Sequence, residues 1–300
     1  MKPNILVIGS SNTDMVVKAA HLPAPGETIL GGTFFMNAGG KGANQAVAAA
    51  RLGADVIFIA KIGDDIFGKQ ALELFAQEGI DTSYIIIDAV NPSGVALITV
   101  DDKAENCIVV ASGANAALLP DDLTAAEQKL KTAALILMQL EIPLETVEYV
   151  ANKGVKNNIK VILNPAPACG LSDELLSKIT IITPNETEAE ILTGIKITGI
   201  DSAELAAKAL ADKGIETVII TLGARGALVY TGNEYFLADA PVMEAVDTTA
   251  AGDVFNGALA VAIAEGRTIQ DACKFACSAA ALSVTRLGAQ ASAPYRSEIE

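Results

Sequence analysis

Leu135-Ile136-Leu137-Met138-Gln139-Leu140 is apolar on both of the faces a strand presents, and a charged residue, Glu141, follows at once. A strand that needs cover on both sides belongs to a parallel sheet flanked by helices rather than to a half-solvated antiparallel one. Working outward from it, Lys160–Leu163, Ile179–Thr183 and Thr217–Leu222 read as further short strands with helical stretches between them. Towards the N-terminus, Asp121–Lys131 and Ile66–Gln77 read as helices, Val56–Ile62 as a strand, Lys41–Leu52 as an Ala-rich helix and Ile5–Gly9 as the opening strand. Two late helices, Val254–Ala264 and Ile269–Thr285, complete the series. Strand, helix and strand at this spacing mean βαβ units and a mainly parallel α/β sheet.

Two stretches break that rhythm. Residues 15–36 and 94–111 are β-rich and lack helices, with Val95–Val100 and Cys107–Val110 placed as a hairpin around Asp101-Asp102-Lys103. They predict a small β appendage at the sheet's edge, either a lid over a cleft or an edge cover. With no repeat or flexible linker, residues 1–300 read as one domain carrying that lid.

The 300 residues are 51% hydrophobic and 19% charged. A chain of this length can bury roughly three quarters of its unfolded surface, so it needs no staples. No uncharged apolar run reaches the ~18 residues of a membrane span. The formal charge of −15 argues against nucleic acid and anionic membrane surfaces, whose binding rests on Lys and Arg. Met1-Lys2-Pro3-Asn4-Ile5 enters a strand directly, leaving no room for a secretory signal, and the four scattered cysteines lack zinc spacing. A reducing, cytoplasmic compartment is expected. His21 is the one histidine and sits in a turn-rich stretch, so the chemistry must run on carboxylates, Lys, Asn and backbone groups.

The strongest local signal is Asp247-Thr248-Thr249-Ala250-Ala251-Gly252-Asp253, which leads into a helix. Small residues let the backbone approach a ligand, and the first unpaired helix amides form an anion hole. A carboxylate beside it, Asp253, suits a base that takes a hydroxyl proton in phosphoryl transfer, although an Asp also stabilises a helix N-terminus. The helix dipole is expected to keep Asp253 acidic. Gly39-Gly40-Lys41-Gly42-Ala43-Asn44 is not a Walker loop, yet it allows a polyhydroxy ligand against the backbone with Asn44 and Lys41 as partners. Asn12 and Asp14 stand after the first strand, where open α/β sheets bind ligands or where an Asx turn forms. Asn185-x-x-Glu188 fits a hydrated Mg²⁺ or a capping box. Thr221-Leu222-Gly223-Ala224-Arg225-Gly226 fits a nucleotide's phosphates or the start of a hairpin. Glu141 needs a partner or a polar ligand at its strand end. Cys273 and Cys277, one helical turn apart, read as small core residues.

Taken together these stretches resemble the ribokinase subgroup of the pfkB carbohydrate-kinase family. The likeness runs from Gly9 to Ser292 and is most specific at Gly39–Asn44 with Gln45-Ala46-Val47, Leu163-Asn164-Pro165-Ala166-Pro167, Thr183–Glu190, Asp247–Asp253 with Phe255-Asn256-Gly257, and Val284–Gln290. It implies a three-layer α/β/α domain with a small β-sheet lid and ATP-dependent phosphorylation of D-ribose at its 5-hydroxyl. Carried over residue by residue, it implies that Asn12, Asp14, Gly40, Lys41, Asn44, Glu141 and Asp253 bind the sugar. Asp253 would be the catalytic base and the amides of Ala250, Ala251, Gly252 and Asp253 the anion hole. Asn185, Thr221, Gly223, Gly226 and Gly252 would face ATP, with Glu188 organising Mg²⁺. Asp247, Thr249, Ser283, Arg286, Gly288 and Ser292 would hold a monovalent cation, K⁺. Cys277 falls near the adenine, where relatives often carry a larger polar side chain. The lid would pair two subunits into a homodimer. A deoxyribokinase, fructokinase or adenosine kinase of the same fold is the alternative, and a non-catalytic sugar-binding module is the alternative of a different class.

Overall fold

Ile5 and Val7 pack into one apolar core and Leu6 and Ile8 into a second, so the opening strand is buried on both faces. These observations come from a computed structural model that describes residues 2–103 and 105–300. The strands are β1 Asn4–Ile8, β2 Asn12–Lys18, β3 Thr33–Gly39, β4 Asp55–Ile59, β5 Lys61–Gly63, β6 Ile86–Asp88, β7 Gly94–Val100 and β8 Asn106–Ala111. They continue as β9 Leu135–Met138, β10 Lys160–Leu163, β11 Ile181–Ile182, β12 Thr217–Thr221, β13 Ala227–Thr231 and β14 Glu234–Ala238. The helices are α1 Lys41–Arg51, α2 Ile66–Gln77, α3 Lys129–Thr132, α4 Leu144–Asn157, α5 Asp173–Leu176, α6 Glu186–Thr193, α7 Ile200–Ala211, α8 Ala251–Ala264 and α9 Ile269–Ser283.

Eight strands form the central sheet in the order β14-β13-β12-β11-β10-β9-β1-β4. Those from β12 to β4 pair in parallel, while β13 and β14 are antiparallel additions at one edge. Leu135 and Leu137 of β9 share a core with α1, α8 and α9, and Ile136 and Met138 share the other with α4 and α7. Period-two alternation into two helix layers gives the three-layer α/β/α architecture. Because the parallel strands point the same way, the ends of β1, β9, β10, β11 and β12 open onto one edge, where such sheets bind ligands. Among the described residues, no helix is long and apolar enough to cross a membrane.

A separate four-stranded sheet runs β3-β2-β7-β8. It begins at Asn12 and reaches Gly39, so it takes in more chain than the 15–36 segment expected, and β7 and β8 make the expected hairpin. Ala104, which falls in the expected 94–111 segment, lies outside the described residues. Side-chain alternation divides this sheet. Asp14, Ala96, Ile98 and Val110 share one face, and Met15, Val17, Phe34, Met36, Leu97 and Val109 share the other.

Three elements differ from the sequence reading. The stretch expected as helix Asp121–Lys131 is a 3₁₀ segment, Pro120–Ala126, followed by the short α3. Asp122 accepts from the Leu119 amide and Thr124 Oγ1 donates to the Asp121 carbonyl, local bonds that compete with an α-helix. Val56–Ile62 divides at Ala60 into β4 and β5, the latter pairing with β6 outside the main sheet. Finally, α8 begins at Ala251 rather than near Val254.

Candidate active site

The turn after β1 and the N-terminus of α1 are packed backbone to backbone. Gly40 has φ 88°, and a Cβ there would lie 2.6 Å from the Asn12 amide and 2.8 Å from Ser11 Cα, so no other residue fits. The Ala43 amide donates to the Ser10 carbonyl (2.8 Å). Glu141, just past β9, finds its partners here: it accepts from Ser10 Oγ (2.5 Å) and the Lys41 amide (3.1 Å). Asn12 Oδ1 accepts from Asn115 Nδ2 (2.8 Å), and Asn115 Oδ1 accepts from the Ser11 amide (2.9 Å). Asn12 and Asp14 therefore sit on β2 of the small sheet rather than in a loop, and Asp14 lies over Gly39, where any Cβ would overlap its carboxylate.

Asp253 is in the first turn of α8 and is 5% exposed. Asn44 Nδ2 donates to Oδ2 (2.9 Å) and Gln45 Nε2 to Oδ1 (2.9 Å), so each carboxylate oxygen is held by one amide. Ala250 precedes the helix at φ 59°, and the Ala251 amide turns back to the Thr248 carbonyl (3.3 Å). Among the described residues, the Gly252 and Asp253 amides have no hydrogen-bond partner in the chain. The Ala250 amide is likewise without a partner among the described residues, so of the four amides the sequence suggested for an anion hole only that of Ala251 is engaged, in the turn.

Burial pushes the Asp253 carboxyl above its ordinary value, against Lys41, Asn44 and Gln45, which pull it down. This reverses the expectation that the helix dipole keeps it acidic: loss of water outweighs a partial charge at a helix end. Asp14 is raised to about 6 by burial and by the charges of Glu141 and Asp253. Burial alone would lower the Lys41 ammonium, but Asp253, Glu141, Glu188 and Asp14 surround it and raise it. Four carboxylates around one ammonium give the cleft a net negative charge. A polyphosphate would be repelled by such a field, and accompanying cations would offset the repulsion.

On the other side of Asp253 lies a cavity of about 190 Å³ lined by Lys41, Asn185, Glu188, Thr221, Gly252 and Asp253 among others. The Thr221 amide donates to the Pro184 carbonyl (2.9 Å), which holds the ends of β11 and β12 together. Asn185 and Glu188 make a complete capping box at α6: Asn185 Oδ1 accepts from the Glu188 amide and Glu188 Oε2 from the Asn185 amide. Burial also raises Glu188. Gly223 and Gly226 bracket a tight turn between β12 and β13, which is the hairpin reading of that motif, and a Cβ at Gly226 would overlap the Ala238 carbonyl. Cys277 is buried in α9 with its thiol donating to that same carbonyl (3.5 Å), which fits its reading as a core residue. A separate cavity of about 330 Å³, between the small sheet and α2, includes Asn12 and no other expected site residue.

Asp247 joins two loops. It accepts from the Thr249 amide (2.9 Å) and the Gly288 amide (2.9 Å), and those bonds outweigh partial burial and hold its carboxyl below the ordinary value. The Val246 and Asp247 amides both donate to the Val284 carbonyl. Ser283 and Ser292 are buried. The Arg286 guanidinium turns away to pair with Glu298, leaving its main-chain carbonyl on the loop. As possible donors these residues offer only oxygen, from the Asp247 carboxylate, the Thr249, Ser283 and Ser292 hydroxyls and loop carbonyls, the donor type a monovalent cation takes.

Sequence reasoning missed Ser10 and Asn115, and gave Gln45, Asn164 and Asn256 no role. The bonds Ser10–Glu141, Asn115–Ser11, Gln45–Asp253, Gln45–Asn164 and Asn256–Thr183 span 73 to 208 positions, beyond any local pattern.

A family model described as pfkB family carbohydrate kinase matches residues 2–296. The ribokinase of Haemophilus influenzae is 50% identical over 298 residues, 99% of this chain and 97% of that protein. The deoxyribokinase of Salmonella typhi is 41% identical, over 97% of this chain and 95% of that protein. The solved structure of Arabidopsis thaliana ribokinase complexed with ribose and ATP matches with a TM-score of 0.94 and 33% identity, covering 100% of this chain and 98% of that one.

Proposed function

The chain belongs to the pfkB family of carbohydrate kinases, and we propose that it transfers the γ-phosphoryl group of ATP to the 5-hydroxyl of D-ribose, giving ribose 5-phosphate and ADP. The observation that carries this reading is the buried carboxylate of Asp253 beside the unpaired amides of Gly252 and Asp253. On one side of it stand polar groups for a small polyol, and on the other a cavity under the strand ends.

Asn12, Asp14, Gly40, Lys41, Asn44 and Glu141 hold the sugar hydroxyls. Asp253 takes the proton of the attacking hydroxyl, and its raised pKa makes it a stronger base than a surface aspartate. The Gly252 and Asp253 amides, with Lys41, face the charge that develops on the transferring phosphoryl, where fixed donors act without reorganising. Asn185, Thr221, Gly223 and Gly226 face the nucleotide, whose base approaches the region above buried Cys277. The acidic cleft and the free face of the Asn185–Glu188 cap fit Mg²⁺, which Glu188 would hold through water and which supplies neutralising charge to the phosphates. Asp247, Thr249, Ser283, Arg286, Gly288 and Ser292 would hold K⁺ beside the anion hole.

The small sheet covers the sugar with its Asp14 face as a lid. Its other face leaves Phe34 (58% exposed), Leu97 (53%) and Val109 (61%) bare, which supports a homodimer formed through it. The four cysteines are unpaired, as suits the cytoplasm.

A 2-deoxyribose acceptor is the second reading, favoured by the likeness to the Salmonella deoxyribokinase. The test is ADP release from ATP and Mg²⁺ across ribose, 2-deoxyribose, fructose and adenosine, with potassium or sodium alone. Ribose-dependent release that rises with potassium is expected. Faster turnover of another acceptor would replace the sugar, and silence with ribose still bound would leave a non-catalytic binder.

A further inference from the structure

Behind Asp253 a row of polar side chains continues into the core from Asn164, which lines the cavity of about 190 Å³. Gln45 and Gln139 are completely buried and Asn164 is nearly so. Gln45 Nε2 donates to Asp253 Oδ1 (2.9 Å) and also to Asn164 Oδ1 (3.1 Å). Gln139 Nε2 donates to Gln45 Oε1 (2.6 Å). Asn164 Nδ2 donates to the Thr183 carbonyl (3.2 Å). Among the described residues, Gln139 Oε1 is left without a partner, pressed against Gly9, where any Cβ would overlap it.

The direction of this row is set by charge. An ionised carboxylate only accepts, so Gln45 must turn its N–H groups towards Asp253. Its carbonyl then faces Gln139, which must donate, and the Gln139 oxygen is pushed to the end of the row. Reversing either amide would bring two acceptors together in a fully buried site. An unmatched buried amide oxygen is costly, and an apolar side chain would pack the same space without that cost. The arrangement is intelligible if its value lies in the group at its other end.

We propose that Gln45, oriented by Gln139 and Asn164, is a positioning residue that holds the Asp253 carboxylate ionised and aimed at the acceptor hydroxyl. This rests on the reading of Asp253 as the base. The other charged groups facing Asp253 are Asp14 of β2, Lys41 of α1, Glu141 after β9 and Glu188 of α6. Burial and the three carboxylates oppose ionisation, while Lys41 and the neutral donors Asn44 and Gln45 favour it.

The experiment compares the wild-type protein with Gln45→Met, which keeps volume and removes the amide, over a pH series with saturating and limiting ribose and ATP. Loss of the donor is expected to lower kcat by about 10- to 100-fold. KM for both substrates, and ribose affinity by calorimetry, should stay within about threefold, because uniform binding is untouched. The acid limb of log kcat should move up by about one pH unit. Gln139→Met, one residue further from the carboxylate, should show the same shift at smaller size, and it decides the matter if Gln45→Met does not fold. Unchanged kcat, or kcat and KM moving together with the acid limb in place, would overturn the proposal while leaving an active wild-type kinase. A wild-type protein inert towards every acceptor would instead overturn the assignment of Asp253, and this proposal with it.

Discussion

Gly257 of α8 lies directly against Gln45 of α1: a Cβ on Gly257 would stand 2.8 Å from the Gln45 carbonyl oxygen and 2.7 Å from the Cβ of Ala48. The two helices therefore meet backbone to backbone, with Ala46, Ala49, Ala258 and Ala260 in the same core. That approach brings Asp253, one turn before Gly257, within reach of the Gln45 side chain. Gly257→Ala should force the helices apart. Overpacking costs about 1–3 kcal/mol, partly offset by ~1 kcal/mol of helix propensity. A thermal melt should show Tm lower by a few degrees, and kcat should fall more than ribose affinity.

Asp14 makes an opposite prediction for stability. Unfolded, it titrates at its ordinary 3.8, and in the folded protein at about 6. Between those values the native state keeps a proton that the unfolded chain has lost. Stability therefore falls as pH rises across the window and stays low above it. Asp14→Asn removes the penalty. Without sugar, denaturant unfolding at pH 7 should show the variant more stable by about 1–2 kcal/mol, a difference that vanishes below the unfolded pKa. Its ribose affinity should fall, and wild-type affinity should weaken as pH drops through about 6.

Ala250 is held at φ 59°, where a Cβ is unfavourable, at the entry to the anion hole. Ala250→Gly relieves that strain at the cost of a more flexible unfolded chain. The net gain should be roughly 0.5–1 kcal/mol by denaturant unfolding. Because the Gly252 and Asp253 amides keep their places, kcat should hold.

Asp247 ties the Thr249 and Gly288 amides together at the proposed potassium site. Asp247→Ala should flatten the dependence of rate on potassium, so that rates in potassium and in sodium converge. A variant that keeps the wild-type response would remove the cation from this site.

Much of this was legible in the chain itself. Leu135–Leu140 announced a doubly buried strand, and Asp247–Asp253 announced a helix start with an Asp in its first turn, because both signals are local. The antiparallel β13 and β14 were less legible, since a Gly-rich turn at Gly223–Gly226 serves a ligand loop or a hairpin equally well. Asn12 and Asp14 were marked as site residues, but their place on β2 depends on pairing with β3 and β7. The raised pKa of Asp253 escaped sequence reasoning because a helix dipole can be inferred from neighbours, whereas burial is made by elements more than a hundred residues away. Gln45 and Gln139 escaped for the same reason.

The central claim is that the Asp253 carboxylate removes the proton from the acceptor hydroxyl. Turnover of Asp253→Asn at saturating ATP and ribose, measured beside its ribose affinity, tests it most directly. The account predicts a kcat lower by about 10²- to 10⁴-fold, with ribose affinity within about tenfold of wild type. A variant that binds ribose and turns it over at the wild-type rate would contradict it.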